Sequence, residues 1–136
     1  MARRPSALIA RRPKVSETAL HMEVVRFLRY ALPDGVVFYH CPNGEKRDAA
    51  AGGKLKAMGV QAGVPDLCFV LPMGKAAFIE LKRPGEVLSD AQIALRRVLV
   101  AAGAGYAVAR SLDEVEEILT RWLAHFDLTL NARIAA

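Results

Sequence analysis

The chain has 136 residues, of which 53% are hydrophobic and 24% charged, a composition that is typical of one globular domain and excludes a disordered chain. Its net charge of +5 favours a polyanionic partner. Two cysteines without a secretory signal predict a cytoplasmic protein, and no apolar run reaches the roughly 20 residues that a membrane span needs.

The N-terminal segment, residues 1–15, is rich in arginine and contains prolines. It is predicted to be a flexible basic arm outside the folded domain, because repelling charges and proline disfavour a packed element. Contact with nucleic-acid phosphates and a purely solubilising role both fit this arm.

The first helix is predicted over residues 16–32, with a serine at its N-cap and Pro-Asp-Gly after its last turn. Glu23 lies three residues after Leu20 and four before Phe27, which places its carboxylate on or beside the apolar face. A buried carboxylate needs a partner. The alternative is a boundary carboxylate that reaches solvent or Arg26.

A strand and a basic segment follow. Residues 36–41 are rich in β-branched and aromatic side chains and predict a strand. After a turn, residues 48–58 predict a weak helix, because two adjacent glycines destabilise it. We expect the basic residues here to form the main surface that contacts nucleic-acid phosphates, although a solvated charged face is the alternative. These residues are Lys46, Arg47, Lys54 and Lys56.

Residues 63–82 predict two apolar strands joined by a turn at Pro-Met-Gly. Three charged residues interrupt them: Asp66, Glu80 and Lys82. Because side chains alternate along a strand, Glu80 and Lys82 share one face. In an antiparallel hairpin, Asp66 at the start of the first strand lies beside Glu80 near the end of the second.

This charged cluster has a chemical interpretation. Two adjacent carboxylates repel each other unless a cation or a shared proton lies between them. Hard oxygen ligands suit Mg²⁺ or Mn²⁺, which complete their shells with water and phosphate oxygens. Lys82 could hold a metal-bound water and neutralise charge that develops on phosphorus. The cluster therefore predicts metal-dependent phosphodiester hydrolysis.

The C-terminal half predicts a helix, a strand and a second helix. Ser89 and Gln92 form a capping box at the first helix, and Ser111 and Glu114 form one at the second. The buried stripe expected on the first helix comprises Ala91, Leu95, Val98, Leu99 and Ala102. That of the second comprises Val115, Ile118, Leu119, Trp122 and Phe126. Residues 127–136 carry no strong signal and are expected to form a C-terminal tail.

A zinc site is not expected. His40, Cys41 and the distant Cys68 contain suitable ligand atoms, but they lack a paired Cys-x-x-Cys spacing and a fourth ligand nearby. Both thiols are predicted to be small core residues.

The predicted order of elements indicates an α/β domain over residues 16–126, with a mixed central sheet flanked by helices. Pro-Asp at 65–66 followed by Glu-Leu-Lys at 80–82 resembles the PD-(D/E)xK nuclease superfamily. With Tyr-His-Cys-Pro-Asn-Gly at 39–44, Lys-Leu-Lys at 54–56 and Gly-Val before Pro65, the chain is similar to the VRR-NUC (virus-type replication-repair nuclease) family over most of its length.

The resemblance implies a restriction-endonuclease-like core and a site for Mg²⁺ or Mn²⁺. Asp66, Glu80 and the backbone carbonyl of Leu81 would bind the cation, and Lys82 would position the attacking water.

Two further site residues are implied by the family pattern. An acidic residue of the first helix points at the metal in this family, and Glu23 matches that position. A glutamine also lies near the active site, and Gln92 matches it. We expect one glutamine side chain to serve both the helix N-terminus and the site only in part.

The expected function is a metal-dependent DNA endonuclease. Stand-alone VRR-NUC proteins resemble resolvases, so the resemblance implies a homodimer that cuts branched DNA such as four-way junctions. One alternative is a sequence-specific or nicking nuclease of the same superfamily. Another is a catalytically idle nucleic-acid-binding module, against which the intact Asp66, Glu80 and Lys82 argue.

Overall fold

A computed structural model describes residues 16–42 and 49–135, which form alternating helices and strands. In chain order these are α1 (Glu17–Ala31), β1 (Val37–His40), α2 (Ala49–Ala57), β2 (Leu67–Leu71), β3 (Lys75–Leu81), α3 (Asp90–Ala101), β4 (Gly105–Ala109) and α4 (Leu112–Ala124). The predicted order is therefore confirmed. The basic arm, residues 1–15, and the predicted phosphate contacts Lys46 and Arg47 lie outside the described residues.

The sheet is mixed, as predicted, with the strand order β1-β2-β3-β4. The first three strands are antiparallel neighbours, whereas β4 pairs in parallel with β3. A parallel pair requires a crossover connection, and α3 supplies it. A 3₁₀ turn at Pro72–Gly74 joins β2 to β3 and places Leu67 opposite Ile79. This register brings Asp66 and Glu80, one residue further along, to the same end of the hairpin.

The hydrophobic core lies on one face of the sheet, beneath α1 and α4. Alternate residues of β2 and β3 point into it, as the pleat of a strand requires. Ser16 accepts the Ala19 N–H at 3.0 Å and caps α1, as predicted, and the helix buries Leu20, Val24 and Leu28. From α4, Val115, Ile118, Leu119 and Leu123 enter the core.

Two predicted features of α4 have different outcomes. Trp122 packs partly buried against the core, with its ring 6.0 Å from that of Phe69 in an edge-to-face arrangement, so its predicted core role is confirmed. The capping box forms only in its serine half. Ser111 Oγ accepts the Glu114 N–H, but the Glu114 carboxylate accepts the N–H of Arg110 instead of that of Ser111.

Helix α3 corrects a prediction about burial. Its Ser89–Gln92 capping box is present, but none of its residues is buried, and Val98 is 62% exposed. The apolar spacing therefore does not mark a core stripe. The helix packs against β4 outside the main core, so its apolar side chains have no second layer to enter.

The segment after α4 packs against the domain as far as residue 135. Leu130 enters the core. The Asn131 N–H donates to the Ala31 carbonyl at 2.7 Å, and its side-chain amide donates to the Leu32 carbonyl at 3.2 Å. These bonds satisfy carbonyls that the end of α1 leaves without helical partners. Among the described residues, no helix combines the length and apolar character that crossing a bilayer requires.

Candidate active site

Asp66 and Glu80 are neighbours at the end of the β2–β3 hairpin. The Asp66 N–H donates to Glu80 Oε2 at 3.2 Å, and the Leu81 N–H donates to Asp66 Oδ2 at 2.8 Å. Glu80 is only 2% exposed and is the buried charged residue of the described chain. Each carboxylate is thus oriented by the other strand's backbone.

Lys82 lies beside this pair. Its Nζ is 3.8 Å from Glu80 Oε1, and its side chain is 12% exposed. Side chains alternate along β3, so Glu80 and Lys82 lie on one face of the strand. Ile79 and Leu81 lie on the other face and are buried in the core. Among the described residues, the ammonium group therefore has one carboxylate within ion-pair distance, and it has limited contact with solvent.

Gln92 bonds to the cluster and to its own helix. Its Nε2 donates to Glu80 Oε1 at 2.9 Å, while its Oε1 accepts the Ser89 N–H at 2.8 Å. The expectation that these two roles compete is wrong, because an amide carries a donor at one end and an acceptor at the other. The helix cap and the site each use a different end.

The acidic residue that α1 brings to the cluster is Glu17. Carboxylate oxygens of Glu17, Asp66 and Glu80 lie within 4.8 Å of one another. Glu23 is exposed and belongs to no such group within the described residues, so it does not lie on the buried face, and its exposure agrees with the alternative of a boundary carboxylate that reaches solvent. The sequence contained a signal for Glu17, since it lies three residues before Leu20 and seven before Val24 and so shares their face of the helix.

The electrostatics of the cluster favour bound protons when no cation is present. Burial, and then the neighbouring Asp66 carboxylate, raise the pKa of Glu80 to about 8, although Lys82 opposes the shift. Burial and Asp66 also raise the pKa of Glu17. A cation that binds here must displace protons from these groups, so its affinity rises with pH.

A cleft of about 310 Å³ opens over the carboxylates. It is lined by Glu17, Ala62, Gly63, Val64, Asp66, Glu80, Ser89, Ala91 and Gln92. The backbone of Gly63 approaches α3 so closely that an added Cβ would lie 2.4 Å from the Ala91 carbonyl oxygen. This contact sets the separation between the loop that carries Asp66 and the helix that carries Gln92.

The donor atoms fit a hard divalent cation. Glu17, Asp66 and Glu80 offer carboxylate oxygens, the ligand type that Mg²⁺ and Mn²⁺ prefer, and the cleft leaves room for water and a phosphate group. A chain without such a cation must bear the cost of three adjacent acids. These three residues are therefore the candidate ligands.

Two histidines that the sequence did not indicate as ligands also lie near Asp66. A ring nitrogen of His21, one of His40 and an Asp66 carboxylate oxygen are within 4.8 Å of one another. Burial, followed by the effect of His40, lowers the pKa of His21. The thiols of Cys41 and Cys68 are 3.8 Å apart as free cysteines. Cys68 is buried, as predicted for a core residue, whereas Cys41 is only partly buried.

The predicted phosphate-contacting residues are described only in part. Lys54 and Lys56 are exposed on α2. On α1, Arg26 and Arg29 line a cleft with His21. Positive side chains are thus available on two helices of the domain.

Comparison with known proteins identifies the domain. A family model described as "VRR-NUC domain" matches residues 5–113. A solved structure titled "VRR_NUC domain protein" has a TM-score of 0.65 and 24% identity, over 82% of this chain and 90% of that chain. Another, titled "VRR_NUC domain", has a TM-score of 0.50 and 18% identity, over 76% of this chain and 95% of that chain. The comparison with curated proteins gives no match.

Proposed function

The chain belongs to the VRR-NUC domain family of nuclease domains, and from this premise we propose that it is a metal-dependent endonuclease that hydrolyses DNA phosphodiester bonds. The observation that carries the proposal is the cluster of Glu17, Asp66 and Glu80, whose oxygens lie within 4.8 Å of one another beside the ammonium group of Lys82. A DNA-binding module without activity has no use for three acids on a basic chain.

The acids hold the cation in this proposal. Asp66, Glu80 and the Leu81 carbonyl would hold Mg²⁺ or Mn²⁺, and Glu17 would take the place that the family resemblance assigned to Glu23. When bound, the cation supplies Lewis-acid stabilisation of the phosphate and a more acidic water. The backbone hydrogen bonds to Asp66 and Glu80 keep their oxygens oriented before it arrives.

Lys82 and Gln92 act on the water and on Glu80. Lys82 Nζ donates a hydrogen bond that positions the attacking water, and its positive charge stabilises the phosphate as negative charge develops. Gln92 is a positioning residue, because its Nε2 bond orients Glu80 Oε1, the same oxygen that Lys82 approaches.

The DNA is proposed to be held at the cleft by contacts between basic side chains and its phosphates. Lys54 and Lys56 on α2 are proposed to contact the backbone, together with Lys46 and Arg47 in the segment before that helix. The net charge of +5 supports an electrostatic mode of binding, which carries no sequence preference of its own.

We propose branched DNA as the substrate and a homodimer as the active form. A twofold dimer presents two sites to two strands, as a four-way junction requires. The exposed apolar side chains of α3, which include Val98 and Val100, support a partner surface on the protein. A sequence-specific or nicking enzyme of the same superfamily is the second candidate.

The test is cleavage of a labelled four-way junction and its matching linear duplex with Mg²⁺, Mn²⁺ or EDTA. Wild type should cut the junction in a metal-dependent manner. Lys82→Ala should lose about 10²-fold or more of the rate with metal still bound, since it removes a group that acts in the transition state. Asp66→Ala should instead weaken metal binding. Lys75→Ala, at the other end of β3, is the matched control and should cut normally.

Other outcomes separate the alternatives. Equal cutting of both substrates by a monomer would reject the junction-selective homodimer. Defined products from linear DNA would favour the sequence-specific or nicking enzyme. Binding without cutting under every metal condition would replace the nuclease with an idle binding module.

A further inference from the structure

Two imidazoles and a carboxylate meet beside the oxygen-lined cluster. One ring nitrogen each from His21 and His40, and one carboxylate oxygen from Asp66, lie within 4.8 Å of one another. The three residues come from α1, from the end of β1 and from the turn before β2. Donor atoms from three separate elements converge here, so the group depends on the tertiary fold.

The ring of His40 is oriented by a backbone hydrogen bond. Its Nδ1 lies 2.7 Å from the Asp66 carbonyl oxygen. A carbonyl oxygen can only accept, so Nδ1 donates the hydrogen, and a neutral ring keeps a lone pair on its other nitrogen. Histidines that bind metals are commonly held by a carbonyl in this way.

The ring of His21 is placed by helix geometry. It lies four residues, about one turn, after Glu17, so α1 directs a carboxylate and then an imidazole toward the same loop. The His21 and His40 rings meet edge to face, with centroids 4.3 Å apart.

The donor set differs from that of the neighbouring cluster. Glu17, Asp66 and Glu80 supply oxygen alone, which suits Mg²⁺, whereas imidazole nitrogen suits zinc, cobalt and nickel. Within residues 16–42 and 49–135, no cysteine belongs to either group, so thiolate chemistry is not involved. The two histidines therefore add a preference that the oxygen cluster lacks.

We propose that His21, His40 and Asp66 form a second cation site, selective for a borderline transition-metal ion such as Zn²⁺ or Co²⁺. It rests on the proposed function only in that Asp66 serves both sites. Asp66 belongs to both ligand groups, and its carboxylate has two oxygens, so it can contribute to both sites. One of these oxygens also accepts the Leu81 N–H. Occupation of either site then influences the affinity of the other.

The experiment titrates the full chain with Co²⁺, followed by visible absorption and calorimetry, and separately with Mg²⁺. The variants are His21→Gln, His40→Asn and Glu80→Gln, and asparagine at 40 retains a donor near the position of Nδ1. His125→Gln is the matched control, because the third histidine of the chain lies at the end of α4 and belongs to neither group.

Wild type and His125→Gln should bind Co²⁺ equally. His21→Gln and His40→Asn should bind Co²⁺ at least about tenfold more weakly, as expected when a ligand is lost, with unchanged Mg²⁺ affinity. Glu80→Gln should bind Mg²⁺ more weakly, with unchanged Co²⁺ affinity. Unchanged Mg²⁺ binding in the histidine variants also verifies that they fold.

The proposal is overturned if Co²⁺ affinity is the same in wild type and both histidine variants, or if Glu80→Gln loses Co²⁺ and Mg²⁺ together. Failure of the proposed function gives a different result. In that case wild type binds no Mg²⁺ and cuts no DNA, while Co²⁺ binding still depends on His21 and His40.

Discussion

Gln92 serves two elements with the two ends of one amide. Its acceptor end closes the capping box with Ser89, and its donor end binds Glu80. Because the cap already restrains the side chain, the bond to Glu80 needs little additional ordering. A residue whose spacing is fully explained by local structure can therefore also be part of a functional site.

The raised pKa of Glu80 predicts that the metal-free protein loses stability as pH rises. The carboxyl group has a pKa near 4.5 in the unfolded chain and about 8 in the fold, so the folded state holds an extra proton between these values. The stabilisation is full below pH 4.5 and is lost as pH rises through 8. Its size is on the order of a few kcal/mol.

Thermal unfolding in EDTA at pH 5.5, 7.0 and 8.5 measures this loss. Glu80→Gln, which stays neutral at every pH, should lose less stability over the same range. Saturating Mg²⁺ should oppose the loss in wild type, because the cation binds the deprotonated carboxylate. Identical slopes for wild type and Glu80→Gln would contradict the assignment.

Among the elements, the loop before β2 and helix α3 meet at a glycine. Gly63 has a φ of +85° and no room for a Cβ against the Ala91 carbonyl. The loop carries Asp66 and the helix carries Gln92, so this contact determines how both approach Glu80. The positive φ and the close contact with Ala91 thus explain why a glycine occupies the first position of the Gly-Val-Pro-Asp motif.

We expect Gly63→Ala to destabilise the protein more than Gly59→Ala. Gly59 also has a positive φ, +98°, but nothing lies within 4 Å of its added Cβ. The left-handed backbone alone costs alanine about 1–2 kcal/mol, and overlap at Gly63 adds about 1–3 kcal/mol. Urea unfolding measures both losses.

A second measurement separates strain from site geometry. Mg²⁺ affinity should fall in Gly63→Ala and remain unchanged in Gly59→Ala, since only the former moves the loop relative to α3. Equal stability losses in the two variants, with equal Mg²⁺ affinity, would show that the close approach has no role.

At the scale of the whole molecule, the core lies on one face of the sheet and includes a residue from the segment after α4. Helices α1 and α4 cover one face of the sheet, while α3 remains outside the main core with exposed apolar side chains. Leu130 enters the core, and Asn131 binds the carbonyls at the end of α1. The segment after α4 is therefore attached both to the core and to the C-terminal end of α1.

Leu130→Ala should lower the free energy of unfolding by about 2–4 kcal/mol, because it leaves a cavity in the core. Thr129→Ala, at the exposed neighbouring position, should change it by no more than about 0.5 kcal/mol. The midpoints of urea unfolding compare the two. Equal midpoints would mean that residues after α4 act as a tail without a role in the core.

The sequence by itself determined the element order, the hairpin, and the neighbouring positions of Asp66, Glu80 and Lys82. These follow from local patterns: turn residues set the hairpin register, and strand alternation sets the face of each side chain. Its resemblance to the VRR-NUC family agreed with the family match, which covers residues 5–113.

Only the tertiary structure decided which carboxylate of α1 enters the cluster, how Gln92 divides its amide, and that His21 and His40 reach Asp66. It also left α3 without a buried face. Helix periodicity tells which residues share a face, but not how far along the helix the neighbouring loop lies or whether a second layer covers that face. Those distances depend on packing between elements that are remote in sequence.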